Sequence, residues 1–508
     1  MSLINITNLT FSYEGSYENI FENVSFQIDT DWKLGFTGRN GRGKTTFLKL
    51  LMGEYEYSGT ISASVTFDYF PFPVQAGRKN TLDILRGINA DFEDWELQRE
   101  LSLLEVGEDV LHRPFETLSN GEQTKVLLAV LFLQDNHFLL IDEPTNHLDV
   151  NARKIVSDYL KSKKGFILVS HDRAFLDNCI DHILSINKTN IEVQKGNFSS
   201  WLYNKKLQDE YELAENEKLK REIQRLSQAA RRTAGWSQKA EKTKFGRHNS
   251  GVKPDKGYVG HKAAKMMKRS KVAEARRQKA VEKKAKLLKN IETADPLSIK
   301  PLKYHTGRMI EAKELSIYYG DNEVCADVSF TVNCGDRIAL TGKNGSGKSS
   351  ILKLLIGDKI SFRGELRVGS NLQLSYVPQD TSFLQGSLTE FARSSGIDES
   401  LFKTILRKLD FSREQFEKDM RFFSDGQKKK VLLARSLCER AHLYIWDEPL
   451  NYIDVLSRMQ IEELILRHRP TMLFVEHDSS FLSAVATKRI DLSLLAAKKK
   501  QNVFDICP

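Results

Sequence analysis

Two glycine-rich segments of the chain match the pattern G-x-x-x-x-G-K-[ST]: residues 38–46, GRNGRGKTT, and residues 342–350, GKNGSGKSS. Glycines in this pattern let backbone N–H groups surround nucleotide phosphates, the lysine adds positive charge, and the hydroxyl can bind Mg²⁺. The first match follows an apolar segment and precedes a helix-like one, as a phosphate loop requires. We predict ATP binding by Gly38, Asn40, Gly41, Gly43, Lys44, Thr45 and Thr46, and by Gly342, Asn344, Gly345, Gly347, Lys348, Ser349 and Ser350.

The second half of the chain repeats the first. Lys348 lies 304 residues after Lys44, and LLIDEPTNHLD (139–149) recurs as YIWDEPLNYID (444–454). LSNGEQTKVLLA (118–129) recurs at 423–434, and ILVSHDRAFL (167–176) recurs at 473–482. Ordered matches at a nearly constant offset indicate two copies of one α/β nucleotide-binding domain. We expect these domains at 1–203 and 308–495, a connector at 204–300 and a short tail at 496–508.

Composition excludes several other classes of protein. The 508 residues suffice for two or three domains, and the mean hydropathy is −0.41 with 28% charged residues. The longest apolar runs, such as Val126–Leu133, are too short to span a bilayer, and the start lacks a signal peptide's basic and apolar regions. The five cysteines form no C-x-x-C pair. We therefore expect a cytoplasmic protein without a disulfide framework or a thiolate metal site.

These motifs together resemble the ATP-binding-cassette (ABC) superfamily over both halves of the chain. The resemblance implies that Glu143 and Glu448 orient or deprotonate the attacking water and that His171 and His477 contact the γ-phosphate. It further implies adenine stacking on an aromatic residue and Mg²⁺ binding in each half. The aromatic residues would be Tyr13 and Tyr319, which could also be ordinary strand residues, and the Mg²⁺ ligands would be Thr45, Asp142, Ser349, Asp447 and Gln379.

The segments SNGEQ (119–123) and SDGQK (424–428) match the family's signature sequence, although Ser at a helix start is also what simple capping selects. In the family each signature faces the other domain's ATP. Ser119 and Gly121 would therefore complete the site of Lys348, and Ser424 and Gly426 the site of Lys44. The two halves also depart from the family pattern, since Asn120 and Asp425 replace a glycine and Phe72 stands where the second half has Gln379. We expect two unequal sites.

The connector carries most of the positive charge. Residues 205–290 contain 26 Lys and Arg against 10 Asp and Glu. Two helix-spaced apolar rows flank a glycine-rich bend at 245–260, which predicts a helical hairpin with about 30 residues per arm. Such basic density with aromatic residues favours a nucleic-acid partner over a merely solvated linker. The rows are Leu219, Ile223, Leu226 and Ala230, and Ala273, Ala280, Leu287 and Ile291; the predicted tip residues are Lys244, Phe245, Val252, Lys253, Pro254 and Tyr258.

Two fused cassettes, no membrane domain and a basic hairpin resemble the ABC-F proteins, which act on ribosomes. FTGRNGRGKTT, WDEPLNYID and KAAKMMKRSK (262–271) look closest to the Lsa and Vga type of antibiotic-resistance factors. That resemblance implies a monomer that binds the ribosomal exit site in its ATP-closed form, beside large-subunit rRNA and exit-site tRNA. The hairpin tip would clear lincosamides, pleuromutilins and streptogramin A from the peptidyl-transferase centre. A housekeeping ABC-F factor acting on ribosome-bound tRNA, a transporter ATPase subunit and a DNA-repair ATPase are the alternatives.

Overall fold

The computed structural model describes residues 2–14, 19–72, 74, 80–134, 136–146, 148–187, 191–243, 255–287 and 296–492, with backbone alone at 237, 240–243, 256 and 283–287. The described residues form two compact units. The first unit holds both cassettes, with the described residues up to Ile186, from 191 to Ser199, and from 296 onward. The second unit holds the helical connector from Ser200.

The first cassette combines a mainly parallel sheet with a smaller antiparallel one. Its elements are β1 (Leu3–Phe11), β2 (Phe21–Asp29), β3 (Lys33–Thr37), α1 (Lys44–Leu51), β4 (Ser58–Ser62), β5 (Thr66–Phe70), α2 (Thr81–Ile88), α3 (Asp94–Leu103), α4 (Asp109–His112), α5 (Asn120–Leu131), β6 (His137–Asp142), α6 (Val150–Ser162), β7 (Phe166–Val169), α7 (Arg173–Cys179), β8 (His182–Ile186) and β9 (Ile191–Lys195). The large sheet has the order β5-β6-β7-β3-β8-β9, and the small sheet has the order β2-β1-β4. Every residue of β7, FILV, is buried, because helices cover both faces of a parallel sheet.

The connector forms two long helices, α8 (Phe198–Thr243) and α9 (Lys256–Leu287), which confirms the predicted hairpin. Ser270 Oγ on α9 donates a hydrogen bond to Ala230 O on α8, 3.2 Å away. Of the predicted apolar rows, Leu219 and Ala280 are buried. Ala263 and Ser270, which belong to neither row, are also buried. The side chain of Leu287 and all of Ile291 lie outside the described residues. The 46 residues of α8 exceed the expected 30 because the helix begins at the buried Phe198, before the predicted connector, and continues to Thr243.

The second cassette repeats the design of the first. Its elements are β10 (Arg308–Tyr319), β11 (Asn322–Asn333), β12 (Arg337–Thr341), α10 (Lys348–Leu355), β13 (Ser361–Val368), β14 (Leu374–Val377), α11 (Leu388–Ser394), α12 (Glu399–Lys408), α13 (Asp425–Cys438), β15 (Leu443–Asp447), α14 (Val455–His468), β16 (Met472–Val475), α15 (Ser479–Val485) and β17 (Lys488–Asp491). The strands of its parallel sheet have the order β14-β15-β16-β12-β17. No helix in the described part of the chain is both long and apolar enough to cross a membrane.

The parallel sheets bring the predicted chemistry to one edge. In the first cassette β3, β6 and β7 are neighbours, and their carboxyl ends lead into the loop before Lys44, into Asp142 and into His171. In the second cassette β12, β15 and β16 lead in the same way to Lys348, Asp447 and His477. Ligands of open α/β sheets bind at this edge.

Candidate functional site

Each predicted phosphate-binding loop ends in a glycine with a positive φ, a backbone conformation that other residues rarely adopt. Gly43 has φ +91°, and an added Cβ would lie 2.6 Å from Ile20 Cγ2. Gly347 has φ +87°, and its Cβ would lie 2.9 Å from Cys325 Cβ. Side chains at these positions would therefore distort the turn into α1 or α10.

The two loop lysines are buried inside their own loops. Lys44 Nζ donates to Gly38 O at 2.7 Å, and Lys348 Nζ donates to Gly342 O at 2.8 Å. Burial lowers the pKa of each lysine, whereas nearby carboxylates, including Glu143 and Glu448, act to raise it. Each loop thus centres one ammonium group at the N-terminus of a helix, where phosphate oxygens are favourably bound.

The residues predicted to hold Mg²⁺ include a hydroxyl paired with a carboxylate in each cassette. Thr45 Oγ1 donates to Asp142 Oδ2 at 3.0 Å, and Ser349 Oγ donates to Asp447 Oδ1 at 3.1 Å. Asp447 Oδ2 is buried, and no donor among the described residues reaches it. Burial raises the pKa of Asp142, and it raises the pKa of Asp447 to about 6. Hard oxygen ligands with one carboxylate oxygen left open fit Mg²⁺ bound together with nucleotide phosphates.

Glu143 and Glu448 follow the aspartates in left-handed backbone conformations, with φ of 52° and 47°. Their N–H groups donate to Val169 O and Val475 O at 2.9 and 3.1 Å, so each turn is tied to the neighbouring strand. Positive φ is uncommon for glutamate and occurs often at functional sites.

The turn brings each carboxylate near its histidine. His171 Nε2 lies 3.2 Å from Glu143 Oε1, and His477 Nε2 lies 3.3 Å from Glu448 Oε1. Burial, together with the charges of Lys44 and Arg458, holds the pKa of His171 well below its usual value. The structure therefore brings the predicted glutamate and histidine together in both cassettes.

The two glutamates have different surroundings. Glu448 Oε2 accepts hydrogen bonds from Gln379 Nε2 at 2.9 Å and Asn451 Nδ2 at 2.7 Å. The half-buried Phe72 cannot supply the first of these in the other cassette, and no described donor meets Glu143 Oε1 with hydrogen-bond geometry.

The pKa values of the two glutamates respond accordingly. Burial and then repulsion by Asp142 raise the pKa of Glu143 to about 8. Burial also acts to raise the pKa of Glu448, but His477, Lys429 and Lys348 outweigh it, so that this pKa is lowered. The predicted inequality of the sites thus has a physical counterpart.

The second site is built from both cassettes. A cavity of about 750 Å³ is lined by Ser119, Asn120 and Gly121 of the first cassette and by Lys348, Ser349, Gln379, Glu448 and His477 of the second. Ser119 caps α5, and its Oγ accepts from Glu122 N at 3.3 Å, so capping and the signature position coincide. This volume lies within the range of small-molecule sites.

The first site is closed by contacts between the cassettes. Asn40 Nδ2 donates to Tyr452 O at 2.9 Å, and Arg39 forms an ion pair with Asp410 at 3.7 Å. A Cβ on the signature residue Gly426 would lie 3.2 Å from Asn40 Nδ2. The second signature therefore lies against the first loop, as the resemblance implies, with Ser424 at the N-cap of α13 and Asp425 exposed.

The predicted adenine-stacking tyrosines lie beside the loop helices. Tyr13 is 43% exposed, and its hydroxyl lies 2.7 Å from Thr46 Oγ1. Tyr319 is 49% exposed, and its hydroxyl donates to Ser350 Oγ at 3.3 Å. The exposure of both rings is compatible with contact to a base, and adenine stacking stays a prediction.

Some predicted residues are not tested, and some contributing residues were not predicted. Tyr258 is exposed near the start of α9, whereas Lys244, Phe245, Val252, Lys253 and Pro254 lie outside the described residues. Sequence reasoning missed Tyr69, whose hydroxyl donates to Asp142 Oδ2 at 3.0 Å, and the ion pair between Arg173 and Glu462 across the cassettes. It also missed Asn451 and Glu476, which were present in the compared motifs.

Comparisons with known proteins agree with this architecture. The protein family described as "ABC transporter" matches residues 21–146 and 325–451. The Ribosome protection protein VmlR of Bacillus subtilis is 28% identical over 98% of this chain and 88% of its own length. The putative ATP-binding protein YdiF of the same organism is 26% identical over 97% of this chain and 80% of its own. A solved chain from the complex of the archaeal ribosomal stalk protein aP1 with the archaeal ribosome recycling factor aABCE1 has a TM-score of 0.62 at 18% identity, covering 95% of this chain and 87% of that chain.

The fold and the paired nucleotide sites define a tandem ABC ATPase. Within that class the near full-length match to VmlR and to ATP-binding proteins named Uup places the chain in the ABC-F family.

Proposed function

We propose that this ATPase is a cytoplasmic ribosome protection factor that acts as a monomer. In its ATP-closed form it binds the exit site of the ribosome, in contact with large-subunit rRNA and exit-site tRNA. The bend between α8 and α9 then clears lincosamides, pleuromutilins and streptogramin A from the peptidyl-transferase centre. The observation that carries the proposal is the similarity to VmlR, which spans 98% of this chain. The drug classes rest on the resemblance to the Lsa and Vga type.

The charge of the connector supports an RNA partner. Helix α9 contains twelve Lys and Arg against two Glu. A groove of about 480 Å³ on the connector is lined by Leu226, Lys265, Lys268, Arg269 and Arg276, among others. Closely spaced cations beside a shallow groove suit a phosphate backbone, and most of the affinity for such a partner is electrostatic.

The ATP sites supply the switch. Mg²⁺ would be held by Thr45 with Asp142 and by Ser349 with Asp447, and it would neutralise phosphate charge. Lys44 and Lys348 add fixed positive charge, and Glu143 and Glu448 orient the attacking water. Positioning and charge neutralisation account for most catalysis of phosphoryl transfer, so hydrolysis depends on closure of the two cassettes around the nucleotide.

A housekeeping translation factor is the second candidate. Relatives named only as ATP-binding proteins align almost as well, such as YheS of Escherichia coli K12 at 26% identity over 94% of this chain. Drug susceptibility separates the two functions. A resistance factor expressed in a sensitive strain raises the minimal inhibitory concentration of a lincosamide and a pleuromutilin, whereas a housekeeping factor changes growth without drug.

Shortening residues 246–257 to a tight turn tests the role of the bend. We expect ATPase activity and ribosome pelleting close to wild type together with loss of drug protection, because the basic arms remain. A variant with Gly-Ser residues over the same length serves as a control for chain length. Full protection by the shortened variant would contradict the proposed role of the bend and favour the housekeeping function.

A further inference from the structure

Equivalent loops in the two cassettes are tied together by different residues. In the first cassette Thr145 Oγ1 lies 3.2 Å from Ser170 Oγ, and both side chains are buried. This contact joins the loop that follows Glu143 to the residue that precedes His171. The motifs are DEPTN with VSHD.

The second cassette replaces both partners, with the motifs DEPLN and VEHD. Leu450 stands in place of Thr145, and its side chain has no hydroxyl. Glu476 stands in place of Ser170, and its longer side chain reaches the backbone instead. Its Oε1 accepts from Leu450 N at 2.8 Å, and its Oε2 accepts from His477 N at 3.2 Å.

These bonds act on the catalytic carboxylate through the loop. Leu450 lies between Glu448 and Asn451, and Asn451 Nδ2 donates to Glu448 Oε2 at 2.7 Å. Glu476 is 2% exposed and Leu450 is fully buried, so water cannot replace a broken hydrogen bond without rearrangement. One buried carboxylate thus fixes both the loop that orients Glu448 and the backbone of His477.

We propose that Glu476 is a positioning residue of the second ATP site, where it aligns Glu448 with His477 for hydrolysis. Glu476 does not itself line the cavity, and its hydrogen bonds go to Leu450 N and to the backbone N–H of the lining residue His477. It acts through Leu450 and His477 rather than on reacting atoms.

The test uses single-turnover ATP hydrolysis with protein in excess, which excludes product release. In an E143Q background, which leaves the second site active, E476S is expected to lower the rate constant at least tenfold. The protein concentration that gives half-maximal rate should change less than threefold. E476Q keeps one acceptor oxygen, so the rate constant of E143Q/E476Q should lie between those of E143Q and E143Q/E476S. The double variant L450T/E476S recreates the pair of the first cassette and should restore the rate to within about threefold of its parent.

The matched control places E476S in an E448Q background, where only the first site hydrolyses ATP, and the rate should stay within about twofold of its parent. An equal reduction in both backgrounds would show a general folding defect and overturn the proposal. So would an unchanged rate in E143Q/E476S. If E476S does not fold, E476Q and L450T/E476S decide, since a double variant no faster than E476Q contradicts the compensating pair.

Discussion

Glu143 and Glu448 occupy equivalent positions, but their environments shift their pKa values in opposite directions. The same chemical change, Glu to Gln, should therefore have opposite effects on the stability of the nucleotide-free protein. The Glu143 carboxyl binds its proton up to about pH 8 when folded, against an ordinary value of 4.5. Between these values folding takes up a proton, so Glu143 lowers the free energy of unfolding progressively as the pH rises.

The magnitude follows from that shift. A rise from 4.5 to about 8 corresponds to about 5 kcal/mol in a rigid site. We expect roughly 2 kcal/mol, because Lys44 and entering water can rearrange around the ionised carboxylate. Gln carries no charge, so E143Q should raise the Tm of the first cassette by roughly 4 to 8 °C above pH 8 and by little near pH 5.

E448Q is the matched control. The folded pKa of Glu448 is lowered, so its ionised form contributes stability above the ordinary value of 4.5, and this contribution disappears as the pH falls through the folded pKa. E448Q should therefore lower the Tm at pH 8. Differential scanning calorimetry without nucleotide or Mg²⁺ at both pH values measures the two variants. Shifts of the same sign, or an E143Q effect independent of pH, would refute the assigned environments.

Two further predictions concern charge. Replacing the exposed cations of α9 by Gln should weaken the salt dependence of ribosome binding. The slope of log affinity against log salt should fall by somewhat under one for each phosphate that is no longer neutralised. An unchanged slope would mean that these side chains are only solvated. R173A should raise the ATP concentration needed to close the two cassettes several-fold, as measured by fluorescence energy transfer between them. The charge exchange R173E/E462R should restore the wild-type ATP concentration. No effect of R173A would exclude a role of this ion pair. The α9 cations are Lys262, Lys265, Lys268, Arg269 and Lys271.

The sequence was sufficient for the elements with strong local patterns. The glycine-rich loops and the recurring motifs predicted the cassettes, because a phosphate loop needs its glycines wherever it occurs. The nearly constant offset between repeats indicated two copies of one domain, and the resemblance to the ABC superfamily implied that the glutamate and the histidine of each copy serve the same γ-phosphate. The contacts of Glu143 with His171 and of Glu448 with His477 join segments on neighbouring strands of one sheet.

Contacts that depend on a partner distant in sequence could not be predicted in the same way. The sequence alone does not show what Glu476 contacts, because only the fold places Leu450 N 2.8 Å from its Oε1. The ion pair of Arg173 with Glu462 requires two helices from different cassettes to meet. The contact of Glu476 with Leu450 does leave a signal in the sequence. Between the two cassettes VSHD changes to VEHD and DEPTN changes to DEPLN, so the two positions in contact change together.

Ribosome pelleting by E143Q/E448Q in the presence of ATP tests the central claim most directly. Removal of both carboxylates slows hydrolysis while the contacts of Lys44 and Lys348 with phosphate persist. We predict that the double variant pellets with ribosomes in ATP to a greater extent than wild type, and that it stays in the supernatant without nucleotide. Pelleting weaker than that of wild type in ATP would contradict a factor that binds the ribosome in its ATP-closed form.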